Sequence, residues 1–511
     1  MIDRVGTPLF EGGDWNFDLV RRIYDAVEDI AINEMKLDVY PNQIEVITAE
    51  QMLDAYSSTG MPLFYKHWSF GKQFLANEML YRKGMRGLAY ELVINSDPCI
   101  SYIMEENTAM MQTLVIAHAA FGHNHFFKNN YLFKQWTDAE GILDYLEFAK
   151  AYIMGCEERH GQQAVERLLD AAHALMHQGV HRYPRAKVRD LKAEAEREAE
   201  RHAHQERIYN DLWRTLPRTE THAREPADDR RAALNLPQEN ILYFLEKSAP
   251  LLQPWQREIL RIIRLIAQYF YPQMQTKVMN EGCATYVHYR IMTRLHEKGL
   301  ITDGAFMEFL QSHTNVTHQP MFDSGHYGGF NPYALGFGIM QDIRRICTEP
   351  TAEDRVWFPD IAGSQNPDEV MKHIWANYRD ESFVGQFLSP HLIRHWKLFK
   401  LGDKEKEPAL TVDAIHNERG YREIRRTLAR QYDIGWIEPD IQIVDVDMAG
   451  DRHLILEHKV AHGVQLVASD TELVLQHLST LWGYDVVLRE KSAEGGKPIK
   501  EYRASPRPTE G

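Results

Sequence analysis

Cysteine and positive charge are both scarce in this chain. Only four of its 511 residues are cysteine. Cys99, Cys156, Cys283 and Cys347 are widely spaced and form no C-x-x-C pair. That excludes a disulfide framework and a thiolate zinc knuckle, and leaves reduced, mostly buried thiols. Lys and Arg number 58 against 73 Asp and Glu, a formal net charge of −15, which opposes non-specific binding to nucleic acid or anionic lipid. No window approaches the roughly 20 apolar residues of a membrane span. Between Met1 and Trp15, acidic and glycine residues stand where a signal peptide needs a basic start and an apolar core. These absences predict a cytoplasmic protein with no membrane span and no nucleic-acid partner. The glycine-rich Gly325–Phe330 run lacks the Lys-Ser/Thr of a phosphate loop, so nucleotide chemistry of that kind is excluded too.

What is present is helical periodicity and histidine. Leu19, Ile23, Val27 and Ile30 recur at helix spacing, as do Ile142, Tyr145, Leu146, Ala149 and Ile153, so each set forms one apolar face. The expected fold is mainly α, with a large helical domain over 1–405. Within it, 188–237 reads as a charged arm and linker. Past the charged stretch at 401–408 the pattern changes. Ile441–Val446, Leu454–His458 and Val486–Arg489 read as strands and Thr471–Trp482 as a helix, predicting a small α+β domain over 406–492. Gly, Pro and charge over 493–511 predict a disordered tail.

Two distant stretches carry the chemistry. Ala117–Asn124 offers His118 and His123; Met279–His288 offers Glu281 and, seven residues on, His288. Two imidazoles and a carboxylate leave one position open on a tetrahedral ion, the arrangement of a catalytic zinc site. A five-residue step turns an ideal helix by about 500°, so the two rings point apart unless a π-bulge or a break at Gly122 intervenes. Small residues around Glu281 let a facing helix come close. His288 shares the Glu281 face, as a ligand or as a partner behind one. The plainer readings are two histidines at a helix end, one in the core and one capping carbonyls, and a buried Glu281 paired with an arginine such as Arg290. His313 and Tyr333 are candidates for proton transfer and oxyanion stabilisation. Asn124, Asn280, His67 and Asn331 are candidates for the pocket wall.

The runs Tyr40–Ile47, His67–Lys72, Met104–Thr108, Gly122–Asn130, Met279–Gly282, His313–Val316, Asn331–Phe337, Trp357–Gly363 and Ile415–Glu418 closely resemble the SpoVR family, the stage V sporulation protein R family. The resemblance spans nearly the whole chain. It implies a cytoplasmic protein tied to spore cortex formation in spore formers, and elsewhere to stress or stationary-phase physiology alongside a serine kinase and a von Willebrand-type domain protein. In a second resemblance, His118, His123 and Glu281 look like the ligands of gluzincin-type metallopeptidases, including a branch with H-E-x-x-x-H spacing. That implies zinc or another divalent metal. Ala119 stands where those enzymes carry the glutamate that takes a proton from water, so an active zinc-dependent peptidase or amidase needs another base, and losing a positioned one costs about 10²- to 10⁴-fold in rate.

Overall fold

The computed structural model describes residues 6–58, 65–82, 91–182, 234, 236–321, 324–325, 327–402, 409–447, 450–460, 463–492 and 497–506. Most of the charged arm expected over 188–237 lies outside them. Contacts divide the chain into two units, one formed by 1–166 with 268–438 and the other by 167–267 with 439–511.

The first unit is built of helices around one apolar core. At its centre runs the helix Lys277–Glu297, which buries residues on almost every side, from Val278 and Met279 to Met292 and Leu295. A helix buried on nearly every side belongs in a core. Its start has no side-chain cap of its own at Thr276. Asp380 supplies one from elsewhere in the chain, its two carboxylate oxygens accepting from the backbone N–H groups of Val278 and Met279 at 2.8 Å each. Two of the orphan donors of that first turn are thereby satisfied. Burial pushes the Asp380 carboxyl up to about 7, against the pull of those N–H donors.

Two elements pack on this helix through small residues. A methyl group on Gly122 would meet the Ala284 Cα at 2.5 Å, and one on Gly282 would meet the Gly336 Cα at 2.7 Å. Only glycine allows either approach. Gly336 belongs to the helix Pro332–Thr348, which starts with Asn331 accepting from the Tyr333 N–H and with proline at its first position.

A three-stranded sheet flanks the helices. Strand β1 (Asn42–Ile47) runs parallel to β3 (Cys99–Met104), and β2 (Glu91–Ile94) runs antiparallel to β3 on its other side. Strands β4 (Lys400–Gly402) and β5 (Thr411–Ala414) form a hairpin in the same unit. Residues 406–438, grouped with the C-terminal domain on sequence pattern, include β5 and the helix Glu418–Arg430, whose buried Tyr421, Ile424 and Leu428 join the core of this first unit.

In the second unit, β6 (Asp440–Val446), β7 (Leu454–Val460), β8 (Val486–Ser492) and β9 (Lys500–Ala504) form a sheet in that order. Strands β7 and β8 are parallel, joined through the helix Ala468–Trp482 as a βαβ unit. Strand β9 falls in the tail expected to be disordered. It pairs with β8 and buries Tyr502. One inward aromatic and a ladder of backbone bonds suffice for an edge strand, even among lysines and prolines. Gln238 adds an isolated bridge to Ile443, bringing the chain beyond the charged arm onto β6. Among the described residues no helix is long and apolar enough to cross a membrane. All four cysteines are free and buried.

Candidate metal centre

Helix runs without interruption from Ala109 to Asn129, but Ala117–His123 is a π-helical turn. The widened turn absorbs the extra residue of the five-residue step, and the rings of His118 and His123 stand 4.6 Å apart at 88°. The same turn carries Gly122, so the close approach of Ala284 brings Glu281, one turn earlier on its helix, to face both histidines. The Glu281 Oε2 lies 3.8 Å from His118 Nε2 and 3.7 Å from His123 Nε2.

The far side of each ring is held. His118 Nδ1 lies 2.9 Å from His288 Nδ1, and His123 Nδ1 lies 2.9 Å from the Asn280 Oδ1. Such partners behind a ring fix which nitrogen faces the centre. His288 Nε2 is in turn 3.0 Å from His313 Nδ1, so three imidazoles form a buried row leading away from Glu281. His313 is therefore one residue removed from the cluster, wedged between Tyr289 and Phe337. The Tyr333 ring stacks at 6.4 Å on His118, and its hydroxyl is a neighbour of the Glu281 carboxylate.

Electrostatics follow from this crowding. Burial disfavours charge on Glu281, but His118 and His123 outweigh it, with help from Tyr333, and hold its pKa below the usual carboxylate value. On His118 burial is likewise outweighed, by Glu281 and Glu91, and the pKa rises. His123 is pushed down to about 4, first by burial and then by His118. Burial drives His288 well down, and takes His313 down to about 4.

Glu91 has no counterpart in the sequence reading. It opens β2, which lies against the π-helical turn, and its Oε1 sits 3.7 Å from His118 Nε2. The candidate ligand atoms of Glu91, His118 and His123 all lie within 4.8 Å of one another. Burial first, and then Glu281, raise the Glu91 pKa. A lone glutamate heading a short apolar run gave no spacing that would tie it to a histidine so far along the chain.

The remaining candidates make local hydrogen bonds. Asn331 caps its helix and donates to the carbonyls of Val316 and His318. Asn124 is bonded to Tyr40 and Asn42 at the entrance to β1. His67 precedes the helix Trp68–Arg82, with Nδ1 2.7 Å from the Ser69 hydroxyl. Arg290 does not pair with Glu281. It reaches Tyr286 and Asp368 instead.

Does this donor set suit a divalent ion? The Glu281 Oε2 is buried with no hydrogen-bond partner, and a buried carboxylate oxygen left so is costly unless something positive completes it. Imidazole nitrogens and carboxylate oxygens are the donors zinc and its neighbours accept. The residues fit.

The chain's relatives can now be set beside this geometry. The family described as SpoVR like protein matches residues 14–437, and the SpoVR-like C-terminal domain matches 439–493. The chain belongs to the SpoVR family. One relative of this SpoVR-family chain, the uncharacterized protein YcgB of Escherichia coli (strain K12), is 52% identical over 501 residues, covering 98% of this chain and 97% of that one. The two family segments meet within a residue of the point where contacts divide the chain near 438. No solved structure matches the SpoVR-family chain.

Proposed function

We propose that this SpoVR-family chain is a cytoplasmic, metal-holding regulatory protein, with His118, His123 and Glu281 as ligands to zinc or another divalent metal. The observation that carries the reading is the buried Glu281 Oε2, without a hydrogen-bond partner and 3.7 to 3.8 Å from both imidazole Nε2 atoms. When bound, such an ion supplies Lewis acidity to an oxygen ligand. The protein's own contribution is orientation: His288 and Asn280 hold the two rings by their far nitrogens, and Tyr333 lies against both the His118 ring and the glutamate. Family resemblance supports a role in spore cortex formation in spore formers, and in stress or stationary-phase physiology elsewhere, with a serine kinase and a von Willebrand-type domain protein as partners.

A second reading is an active zinc-dependent peptidase or amidase. One observation favours it: Glu91 brings to the cluster the carboxylate that position 119 lacks.

Metal analysis of the purified chain tests the first reading. About one equivalent of divalent metal is expected in the native chain, and none in His118→Ala or Glu281→Gln. A native chain that neither retains metal nor takes up added Zn²⁺ would sink it.

A further inference from the structure

We propose that Glu91 is a fourth protein ligand, which makes the centre a two-histidine, two-carboxylate site closed by the protein itself. The inference rests on the metal-holding reading above and goes beyond it, by assigning a strand residue outside the two histidine and glutamate stretches and by naming the kind of site that results.

Geometry is the first argument. Around an ion with bonds of about 2.0 to 2.2 Å, tetrahedral ligand atoms stand about 3.3 to 3.6 Å from one another. Glu91 Oε1 lies 3.7 Å from His118 Nε2, next to 3.8 Å and 3.7 Å for Glu281 against the two histidines. Glu91 is thus as well placed on His118 as Glu281 is. The ligand atoms of Glu91, His118 and His123 lie within 4.8 Å of one another, Glu281 meets the same two rings from its own helix, and β2 rests on the turn that carries both rings.

Charge is the second argument. Glu91 and Glu281 have side chains only 17% and 18% exposed, facing histidines that are 4% and 9% exposed. Two carboxylates in one buried site repel each other unless cations stand between them. Among the described residues no lysine or arginine is paired with either one. A divalent ion bound by both removes the repulsion and satisfies the Glu281 Oε2 at once.

The class of site follows. On a tetrahedral ion, four protein donors leave no open position, which is the pattern of a structural or regulatory centre. A base at position 119 would have nothing to act on there, so Ala119 is no defect. The ion then stabilises the fold and turns over no substrate.

The test uses the full chain. Zn²⁺ and Co²⁺ binding is measured by competition titration for native, Glu281→Gln and Glu91→Gln chains, with thermal melts before and after metal. The expected result for Glu91→Gln is a loss of at least about 100-fold in Zn²⁺ affinity, above the range set by groups behind the ligands, and an altered Co²⁺ visible spectrum. A Glu91→Gln chain with native affinity and an unchanged Co²⁺ spectrum overturns the fourth ligand while leaving the three-ligand reading in place, whereas absence of metal binding in the native chain removes that reading itself. If Glu91→Gln does not fold, a crystal structure of the Zn²⁺-loaded native chain decides: Glu91 oxygen within about 2.2 Å of the ion supports the assignment, and a water in its place overturns it.

Discussion

Each of the two units buries histidine beside glutamate, to opposite ends. In the second unit His458 and Glu490 face each other in register on β7 and β8, with His458 Nδ1 3.1 Å from the Glu490 Oε1. The same carboxylate also accepts from the Leu466 N–H at 2.8 Å and from the Tyr502 hydroxyl at 3.4 Å. In the first unit Glu281 faces two histidines at 3.7 Å or more, and one of its oxygens has no hydrogen-bond partner. Residue types are alike, although Glu490 is fully buried and the Glu281 side chain is 18% exposed. The difference is satisfaction: a fully bonded carboxylate fastens a fold, while one held just beyond hydrogen-bond reach of several donors is shaped for something that comes between them.

The widest test of this contrast is to remove each glutamate. Glu490→Ala strands His458 and the Leu466 N–H, and should lower stability by about 3 to 5 kcal/mol in urea unfolding of the full chain while leaving metal content unchanged. Glu281→Gln should do the reverse, abolishing metal retention while shifting metal-free stability far less. If the two variants destabilise the metal-free chain equally, the distinction collapses.

Asp354 extends the comparison to a carboxylate satisfied by arginine. Arg345 donates to it from two nitrogens at 2.6 and 3.0 Å, and Thr351 donates through its N–H and its hydroxyl. Although burial opposes its charge, Arg345 and Thr351 prevail and lower its pKa from 3.8 to about 2. A folded-state pKa below the unfolded one means stability present in full above the ordinary 3.8 and lost as the pH falls through about 2. Asp354→Asn should therefore cost about 1.5 to 3 kcal/mol at neutral pH, with the gap to the native chain narrowing in acid. A gap independent of pH between 5 and about 2 would contradict the pairing. Smallest is Tyr502→Phe, which removes two long bonds, to Glu490 and to the Leu466 carbonyl, and should cost about 0.5 to 1.5 kcal/mol in the same unfolding assay. A loss as large as that of Glu490→Ala would show that the tyrosine, and not the glutamate, organises the pair.

Much of this was legible in the residues. The β6, β7 and β8 segments and the helix between the last two announce themselves by pattern, and the awkward five-residue step between His118 and His123 asks for a π-bulge or a break at Gly122, of which the structure has the first. Small residues around Glu281 signal a close helix contact, and Gly122 and Gly336 supply it. Hidden from sequence were the groups that arrive by tertiary packing. Glu91 reaches the cluster only because β2 pairs with β3 and lies on the histidine turn. Asp380 caps a helix far from it in sequence. Nor does sequence show that Asn124 bonds Tyr40 and Asn42, or that Asn331 bonds the carbonyls of Val316 and His318. Periodicity reports which face is buried, not what the other side of the interface brings.

The contact between Gly282 and Gly336 has a mechanical consequence. Where two helices meet through side chains, rotamers can give way and a shift in one is absorbed before it reaches the other. Here backbone rests on backbone, and there is nothing soft between them. Gly122 rests on Ala284 in the same way, so the helix that carries Tyr333, the helix that carries Glu281 and the turn that carries both histidines are braced against one another as a single frame.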